Sequence, residues 1–322
     1  MVKNELPVIS ITVITYNSAL TITETLDSIF KQSYDRTKIE LIISDDASKD
    51  NTTEIIDRWL VDKRESFFDV KKNYSLSNNG VSENCNIAWR IATGDWIKTI
   101  AGDDILLDSC ISDNVSYINK LNNEKVAVLF SSMIQFFTDQ KGNHITRMHL
   151  PPEYQKKILA SENNSRQYDY IKKSDIAGAP SAIIKREALE QVDFADREFT
   201  LIEDYPLWVK LLKAGFVFSY FNKDTVKYRL GSSLTSSQLR LANENYLKQV
   251  LKANIKYRES GFIERMKSVR KITWIQLSLC FIGLVKNKRN TVTGILFKII
   301  MFLKPYFPTY TLERISTRKR KE

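Results

Sequence analysis

The chain has 322 residues, 43% of them hydrophobic and 27% charged, which is an ordinary globular composition with enough length to bury a large core. Cys85, Cys110 and Cys280 have no metal-type spacing and form no even set, which suits a reducing compartment, and residues 1–7 lack the apolar core of a signal peptide; the expectation is a cytosolic protein. The net charge of +10 is uneven, because residues 241–322 hold 18 Lys+Arg against 5 Asp+Glu while the other 240 hold 30 against 33, so the body is no general polyanion binder and no nucleic acid is expected as a partner.

Residues 8–14 are β-branched and apolar and predict a buried strand. Asn17 or Ser18 is placed to cap a helix whose Ile22, Leu26, Ile29 and Phe30 fall at helical spacing. Residues 39–44 predict a second strand. Asp50 or Asn51 then caps a helix carrying Ile55, Ile56, Trp59 and Leu60. Ser82 opens a third helix with Ile87, Ala88 and Ile91, which Gly94 closes. A strand over 96–100, a helix over 107–119 and a strand over 126–130 follow. Residues 139–175 are polar and irregular, hold His144 and His149, and predict a loop or short helices over one side of a site. A turn over 177–182 leads into strand residues Ile183 and Ile184. Glu203-Asp204-Tyr205-Pro206 starts a helix, with Leu207, Trp208, Leu211 and Leu212 on its apolar stripe and Gly215 at its end. Strands alternating with helices predict an α/β fold with a mainly parallel sheet, in which ligands bind at the carboxyl ends of the strands.

The polar residues worth naming stand at those ends: Thr15-Tyr16-Asn17, Asp45-Asp46, and Asp103-Asp104 within Ala101-Gly102-Asp103-Asp104. Adjacent carboxylates repel and raise each other's pKa, and a cation relieves that cost. Two histidines and three scattered cysteines offer little else, so an oxygen-held Mg²⁺ or Mn²⁺ bound with substrate phosphates is one reading; a pair capping the next helix is the other. None of the ten glycines lies two residues from another and no G-K-[ST] occurs, which excludes a dinucleotide loop and a P-loop.

Five segments in order resemble the bacterial family 2 glycosyltransferases over about residues 6–235. They are Val13-Ile14-Thr15-Tyr16-Asn17; residues 43–52 with Asp45-Asp46-Ala47-Ser48-Lys49-Asp50-Asn51-Thr52; Asn79-Gly80-Val81-Ser82 with Asn86 and then Ala92-Thr93-Gly94-Asp95-Trp96-Ile97; Glu203-Asp204-Tyr205-Pro206-Leu207-Trp208; and Tyr228-Arg229 with Ser232 and Ser233. Two positions depart from the family pattern: Ala101 replaces the first Asp of D-x-D-D, and Cys85 replaces an arginine before Asn86.

The resemblance implies a GT-A fold: a Rossmann-like mixed, mainly parallel sheet flanked by helices over residues 1–238, with a basic, amphipathic helical region over 239–322. It implies inverting transfer of a sugar from a nucleotide-diphosphate donor, of the UDP type, to a glycan or lipid-linked acceptor in bacterial surface polysaccharide synthesis. Thr15, Tyr16 and Asn17 would meet the nucleotide, or form only a strand-end turn. Asp46 would accept from a base N–H, or Asp45-Asp46-Ala47-Ser48 would only make a turn and cap the next helix; both hold if Asp45 is structural and Asp46 faces the ligand. Asp103 and Asp104 would serve ribose and metal, with Asp104 favoured as the direct ligand of Mg²⁺ or Mn²⁺. Asp204 would be the general base beside Glu203, or either would only cap the helix. Gly178 and Ala179 would leave room for acceptor and donor sugar, or form a plain turn. Arg229 would contact the diphosphate or pair with a carboxylate. A sugar nucleotidyltransferase would want a glycine-rich basic signature that residues 8–17 lack; a membrane- or polyanion-binding protein with a degenerate transferase domain is the other alternative.

Residues 272–285 are uncharged, bracketed by Lys271 and Lys286, and too short for a span of about 20 residues. Residues 295–303 are apolar around Lys298. With Lys286, Lys288, Arg289 and Arg318-Lys319-Arg320-Lys321, residues 272–321 read as interfacial helices on an anionic leaflet, making the protein peripheral on the inner face of the plasma membrane. A helical subdomain packed on the catalytic domain, or on a second subunit as a homodimer, is the alternative.

Overall fold

The computed structural model describes residues 6–230, 240–257 and 261–304, and only the backbone of 262–265 and 267. Four strands, β1 (Ile9–Thr15), β2 (Ile39–Asp45), β3 (Asp69–Tyr74) and β4 (Trp96–Ala101), run parallel in the order β3-β2-β1-β4. Helices α1 (Ile22–Phe30), α2 (Thr52–Leu60) and α3 (Val81–Ile91) connect them. Every residue of β1 and β2 is buried, which is why both read as continuous β-branched runs rather than alternating ones.

Beyond β4 the sheet turns mixed. The chain runs through β5 (Ile105–Leu106), α4 (Cys110–Ile118), β6 (Val126–Thr138), β7 (His144–Leu150), α5 (Glu153–Leu159), α6 (Asn164–Lys173), β8 (Ile183–Lys185), α7 (Arg186–Gln191), α8 (Asp204–Lys213) and β9 (Val217–Arg229). Strand β8 lies antiparallel between β4 and β6, β6 pairs parallel with β9, and β5 closes the edge on β9. Strand β7 folds back on β6 as a hairpin. The long pairings are parallel apart from that hairpin, so the expected mixed, mainly parallel sheet is present.

Successive side chains of each strand face opposite sides, and each side has its own core. One side packs α1, α2 and α4, with Phe30, Trp59 and Phe67 in mutual contact. The other packs α3 and α8, where Phe130, Trp208 and Phe218 meet edge to face with centroids 5.3–5.7 Å apart. Glu40 and Lys98 are ionisable side chains buried within the sheet itself. Glu40 is buried on β2 and accepts from Ser10, Thr93 and Lys71, which together outweigh its burial and lower its pKa. Lys98 on β4 donates to the carbonyls of Pro180 (2.8 Å) and Ala182 (3.2 Å) and so clamps the turn before β8.

Several elements differ from the sequence expectations. Helix α1 begins at Ile22 and neither Asn17 nor Ser18 caps it; both belong to the preceding turn. Helix α3 starts at Val81 after Gly80, one residue before the expected Ser82. Residues 139–175 hold a strand and two helices, because β7 is an exposed hairpin arm whose polar sequence carries no burial signal.

The C-terminal helices are α9 (Glu244–Lys256), α10 (Phe262–Leu284) and α11 (Thr291–Met301). Leu247, Val250 and Ala253 of α9 and Trp274, Ile275 and Ile282 of α10 are buried in the same core as α3 and α8. Much of the uncharged 272–285 run is therefore explained by packing on the catalytic domain. The boundary at 238, Ser232, Ser233 and the basic cluster 318–321 lie outside the described residues.

Candidate active site

The carboxyl ends of β1, β2 and β4 converge on one cleft edge. Asn17 takes a left-handed backbone (φ 51°), and its side chain accepts from Lys49 N–H at 2.7 Å while its own N–H donates to Ser48 Oγ at 2.7 Å. Ser18 N–H donates to Thr52 Oγ1 (2.8 Å) and Ala19 N–H to Asp50 (3.1 Å). Asp45 in turn holds Ser48 through its N–H and hydroxyl. The Ser, Asp and Thr of the second segment thus build the turn that presents Thr15, Tyr16 and Asn17; Tyr16 stands exposed on it. A turn over 45–48 with a structural Asp45 was expected; that Ser48, Asp50 and Thr52 also brace the Thr15–Asn17 turn was not.

Asp46 is buried, and both oxygens accept main-chain N–H groups, from Asn79 at 2.8 Å and Gly80 at 2.9 Å. A carboxylate has about four lone-pair directions, so capacity for a further donor remains. Gly80 sits at φ +87° with Thr200 against it: a Cβ there would lie 2.5 Å from Thr200 O and Cβ. Val81 N–H also donates to Thr200 O at 2.8 Å.

At the end of β4, Gly102 lets the chain press on the β1 turn, since a Cβ would lie 2.7 Å from Thr15 Oγ1. The Asp pair divides. Asp104 points inward: it is buried, its Oδ1 accepts Arg229 N–H at 2.8 Å, and burial first, then Asp103, push its pKa well up. Asp103 stays partly exposed. Arg229 is the brace. Its guanidinium donates to Asp103 O (2.8 Å), Thr138 Oγ1 (2.6 Å) and Glu24, and lies 4.6 Å from the Phe136 centroid. Of the two expectations for Arg229, pairing with a carboxylate is what the structure contains, with Glu24 as the partner. His144 lies 3.2 Å from the same Glu24, so the β6–β7 hairpin does reach this edge of the site; His149 pairs with Asp224 instead.

Glu203 and Asp204 stand at the start of α8, crowded by neighbours yet still reached by solvent. Asp204 accepts Tyr205 N–H at 2.7 Å. Burial, then Asp204, push Glu203 up to about 8; burial, with Asp175 adding to it, raises Asp204 to about 6. Cys85 is buried near both carboxyls, and its thiol is pushed up by burial and then by their charge. The loop before them is anchored to α3: Ser82 Oγ donates to Phe199 O, and Asn86 exchanges two hydrogen bonds of 2.9 Å with Ala195. Gly178 is buried at φ +148°, where an added Cβ would meet Ser181, Pro151 and Phe130 at 3.5–3.9 Å, and Ala179 begins the turn that Lys98 clamps.

Among the described residues no three His, Cys, Asp or Glu side chains cluster as a complete metal cage. Mg²⁺ or Mn²⁺ needs only one or two carboxylates when substrate phosphates supply the rest. Partly exposed Asp103, with the hydrogen-bond-orphaned Asp104 Oδ2 and Thr15 Oγ1 near the same turn, is compatible with such a donor set.

A sheet whose strand ends present a polar turn, an aspartate pair and a carboxylate-led helix is the architecture of a nucleotide-sugar transferase. The family described as "Glycosyl transferase family 2" matches residues 10–192, more than half of the chain. The chain belongs to that family and is a glycosyltransferase. It is 26% identical over 245 residues to the Escherichia coli "UDP-Glc:alpha-D-GlcNAc-diphosphoundecaprenol beta-1,3-glucosyltransferase WfaP", covering 75% of this chain and 86% of that one. An uncharacterized glycosyltransferase of Rickettsia bellii is 25% identical over 240 residues, but the chain spans only 32% of it. Residues 1–349 of Staphylococcus aureus TarS, solved with UDP-GlcNAc, superpose with a TM-score of 0.59 at 21% identity over 84% of this chain and 72% of that one. A Pyrobaculum calidifontis mannosyltransferase solved with GDP-Man and Mn²⁺ superposes at 0.58 with 16% identity, over 97% and 85%.

Proposed function

We propose that this chain transfers a sugar, with inversion, from a UDP-linked donor to a lipid-linked glycan acceptor at the inner face of a bacterial membrane. The observation that carries the reading is the contact between the two halves of the site. Asp46, at the end of β2, holds Gly80 N–H; Gly80 packs on Thr200; and Thr200 stands three residues before Glu203. The turn that would hold the nucleotide and the carboxylate that would serve the acceptor are thus built against each other. The names of similar proteins support the substrates: WfaP uses UDP-Glc and a diphosphoundecaprenol-linked acceptor, and TarS was solved with UDP-GlcNAc.

Thr15, Tyr16 and Asn17 flank the nucleotide, and Asp46 accepts from the base through its remaining lone pairs. Asp103 reaches ribose and the cation, while Asp104, braced by Arg229, shapes the turn. Asp103, with Asp104 Oδ2 and Thr15 Oγ1 near the same turn, would hold a divalent ion, which would supply charge neutralisation for the departing diphosphate. Asp204 takes the acceptor hydroxyl's proton as that oxygen forms the new bond to C1 and the C1–phosphate oxygen bond breaks. A carboxyl raised to about 6 suits this task, because it is mostly ionised at neutral pH and still basic enough to hold a proton. Glu203, raised further, keeps its proton at neutral pH and leaves the negative charge to Asp204.

The membrane part rests on α11 and the turn after it. Val292, Ile295, Leu296, Ile299, Phe302 and Leu303 are 42–65% exposed and fall within about a third of a helical circumference. Residues 265–304 contain no Asp or Glu, while Lys286, Lys288, Arg289 and Lys298 are exposed around the stripe. No helix among the described residues is long and apolar enough to cross a membrane. An apolar stripe rimmed by cations fits an anionic leaflet, and like charge disfavours pairing two copies through it.

The test is Asp204→Asn assayed for sugar transfer, with donor binding measured by calorimetry with UDP-GlcNAc as probe. Loss of transfer with binding kept is expected; unchanged turnover overturns the base assignment.

A further inference from the structure

Lys271 comes from α10, outside the region matched by the family, yet it is 1% exposed and reaches into the catalytic domain. Its ammonium lies 2.6 Å from Asp175 Oδ1 and 3.9 Å from the centroid of Tyr205, the residue after Asp204. We propose that Lys271 is a positioning residue of the active site: by fixing Asp175 and the Tyr205 ring, it holds the start of α8, with Glu203 and Asp204, in its working surroundings. This rests on the reading of Asp204 as the base.

A lysine buried for packing alone is an expensive choice, because a hydrophobic residue of similar volume usually does as well or better. Helix α9 and the residue after it are turned to the same task. On α9, Gln249 accepts Leu201 N–H and donates to Thr200 Oγ1, both at 2.8 Å, and Lys256 and Tyr257 bind Asp196 at 2.6 and 2.7 Å. Helices α9 and α10 therefore grip the 196–205 segment from one side while α3 grips it from the other.

The charged and titratable groups facing this corner come from every element around it: Asp175 after α6, Glu203, Asp204 and Tyr205 on α8, Tyr246 on α9, Lys271 on α10, Lys304 after α11, Cys85 on α3 and Tyr228 on β9. Burial lowers Lys271, and Asp175 opposes that; burial raises Asp175, and Lys271 outweighs it so that Asp175 stays below its usual range. Lys271 therefore favours the anionic form of Asp175, and Asp175 in turn opposes loss of the Lys271 proton. Asp204 thus feels one anion, which raises it, and one cation, which lowers it. Removing either partner should move Asp204 in opposite directions, which loss of mere packing would not do.

The experiment titrates ¹³C-carboxyl-labelled aspartate in the full chain, with Asp204 assigned by its absence in Asp204→Asn. Lys271→Met should raise the Asp204 midpoint by about one pH unit, Asp175→Asn should lower it, and Lys271→Arg should leave it near the parent value. UDP release from UDP-GlcNAc should fall at least tenfold in Lys271→Met and recover in Lys271→Arg. Midpoints that stay put, or that move the same way in both variants, overturn the proposal. If Lys271→Met does not fold, Asp175→Asn and Lys271→Arg decide: an unmoved midpoint in Asp175→Asn refutes it. Should Asp204→Asn keep full turnover, the base reading fails while the titration still tests the positioning of Asp204.

Discussion

Gly80→Ala probes the contact that joins the two halves of the site, and Gly142→Ala supplies its control. The two glycines share a positive φ, +87° and +83°, but Gly80 has ψ 168°. That lies outside the left-handed helical well that an alanine enters for about 1–2 kcal/mol and in a region essentially reserved for glycine, so Gly80 carries a heavy backbone cost of its own. They differ in what the new methyl meets. At Gly142 nothing lies within 4 Å; at Gly80 the methyl falls 2.5 Å from Thr200 Cβ and O and 2.8 Å from its Cα. Those are mainly backbone atoms, so the 196–203 loop has to move and the Val81–Thr200 hydrogen bond of 2.8 Å is stretched. Overpacking of this kind costs roughly 1–3 kcal/mol on top of the backbone cost. Over 322 residues the unfolding entropy is about 0.7 kcal/mol/K, so the overpacking alone should put Gly80→Ala ~1.5–4 °C below Gly142→Ala, and the strained Gly80 backbone adds to that. Activity should separate them further. A shift of about 1 Å in the loop before Asp204 costs on the order of 100-fold in turnover, while Gly142→Ala should turn over as the parent does. Differential scanning calorimetry and a UDP-release assay read both effects. Equal melting temperatures with equal turnover would refute the claim that the Gly80–Thr200 contact positions the base.

Turnover should fall about tenfold per pH unit below about 6, as Asp204 takes up its proton, and a flat profile from pH 5 to 7 would remove it as the base. Glu203 is raised above its ordinary value, so the folded state binds that proton more tightly than the unfolded chain; stability is greatest below about 4.5 and is lost as pH rises towards about 8. Glu203→Gln should therefore flatten the melting temperature between pH 5 and 8 and raise it at pH 8. Asp103→Asn should abolish the Mn²⁺-dependent thermal shift given by UDP; an unchanged shift would remove Asp103 from the cation site. Ile299→Glu should cut flotation of the full chain on vesicles containing anionic lipid at least tenfold without changing its circular dichroism; unchanged flotation would take the membrane face away from α11.

The parallel half of the fold was legible because its strands are buried on both faces. Residues 8–14, 39–44 and 96–100 are apolar runs that only a covered sheet tolerates, and the helices between them carry plain 3.6-residue stripes. Two edge strands were not: β7 is an exposed hairpin arm, and β3, Asp69–Tyr74, at the parallel end of the sheet, carries two lysines and an asparagine with few buried residues, so neither shows an apolar period. The site follows the same division. Which residues gather could be read from strand ends and motif order; which way they face could not. Asp103 and Asp104 are chemically identical neighbours, and what separates them is Arg229, 125 positions on, whose N–H captures Asp104 and whose side chain braces the turn between them. The tail shows the limit most plainly. Composition gave 241–322 one basic, apolar character, yet α10 buries Lys271 against Asp175 while α11 leaves its apolar stripe in solvent. Two helices of similar make-up thus end differently: one packs its lysine beside Tyr205, next to Asp204, and the other leaves an apolar stripe exposed, which under the proposed function is the face that meets the membrane.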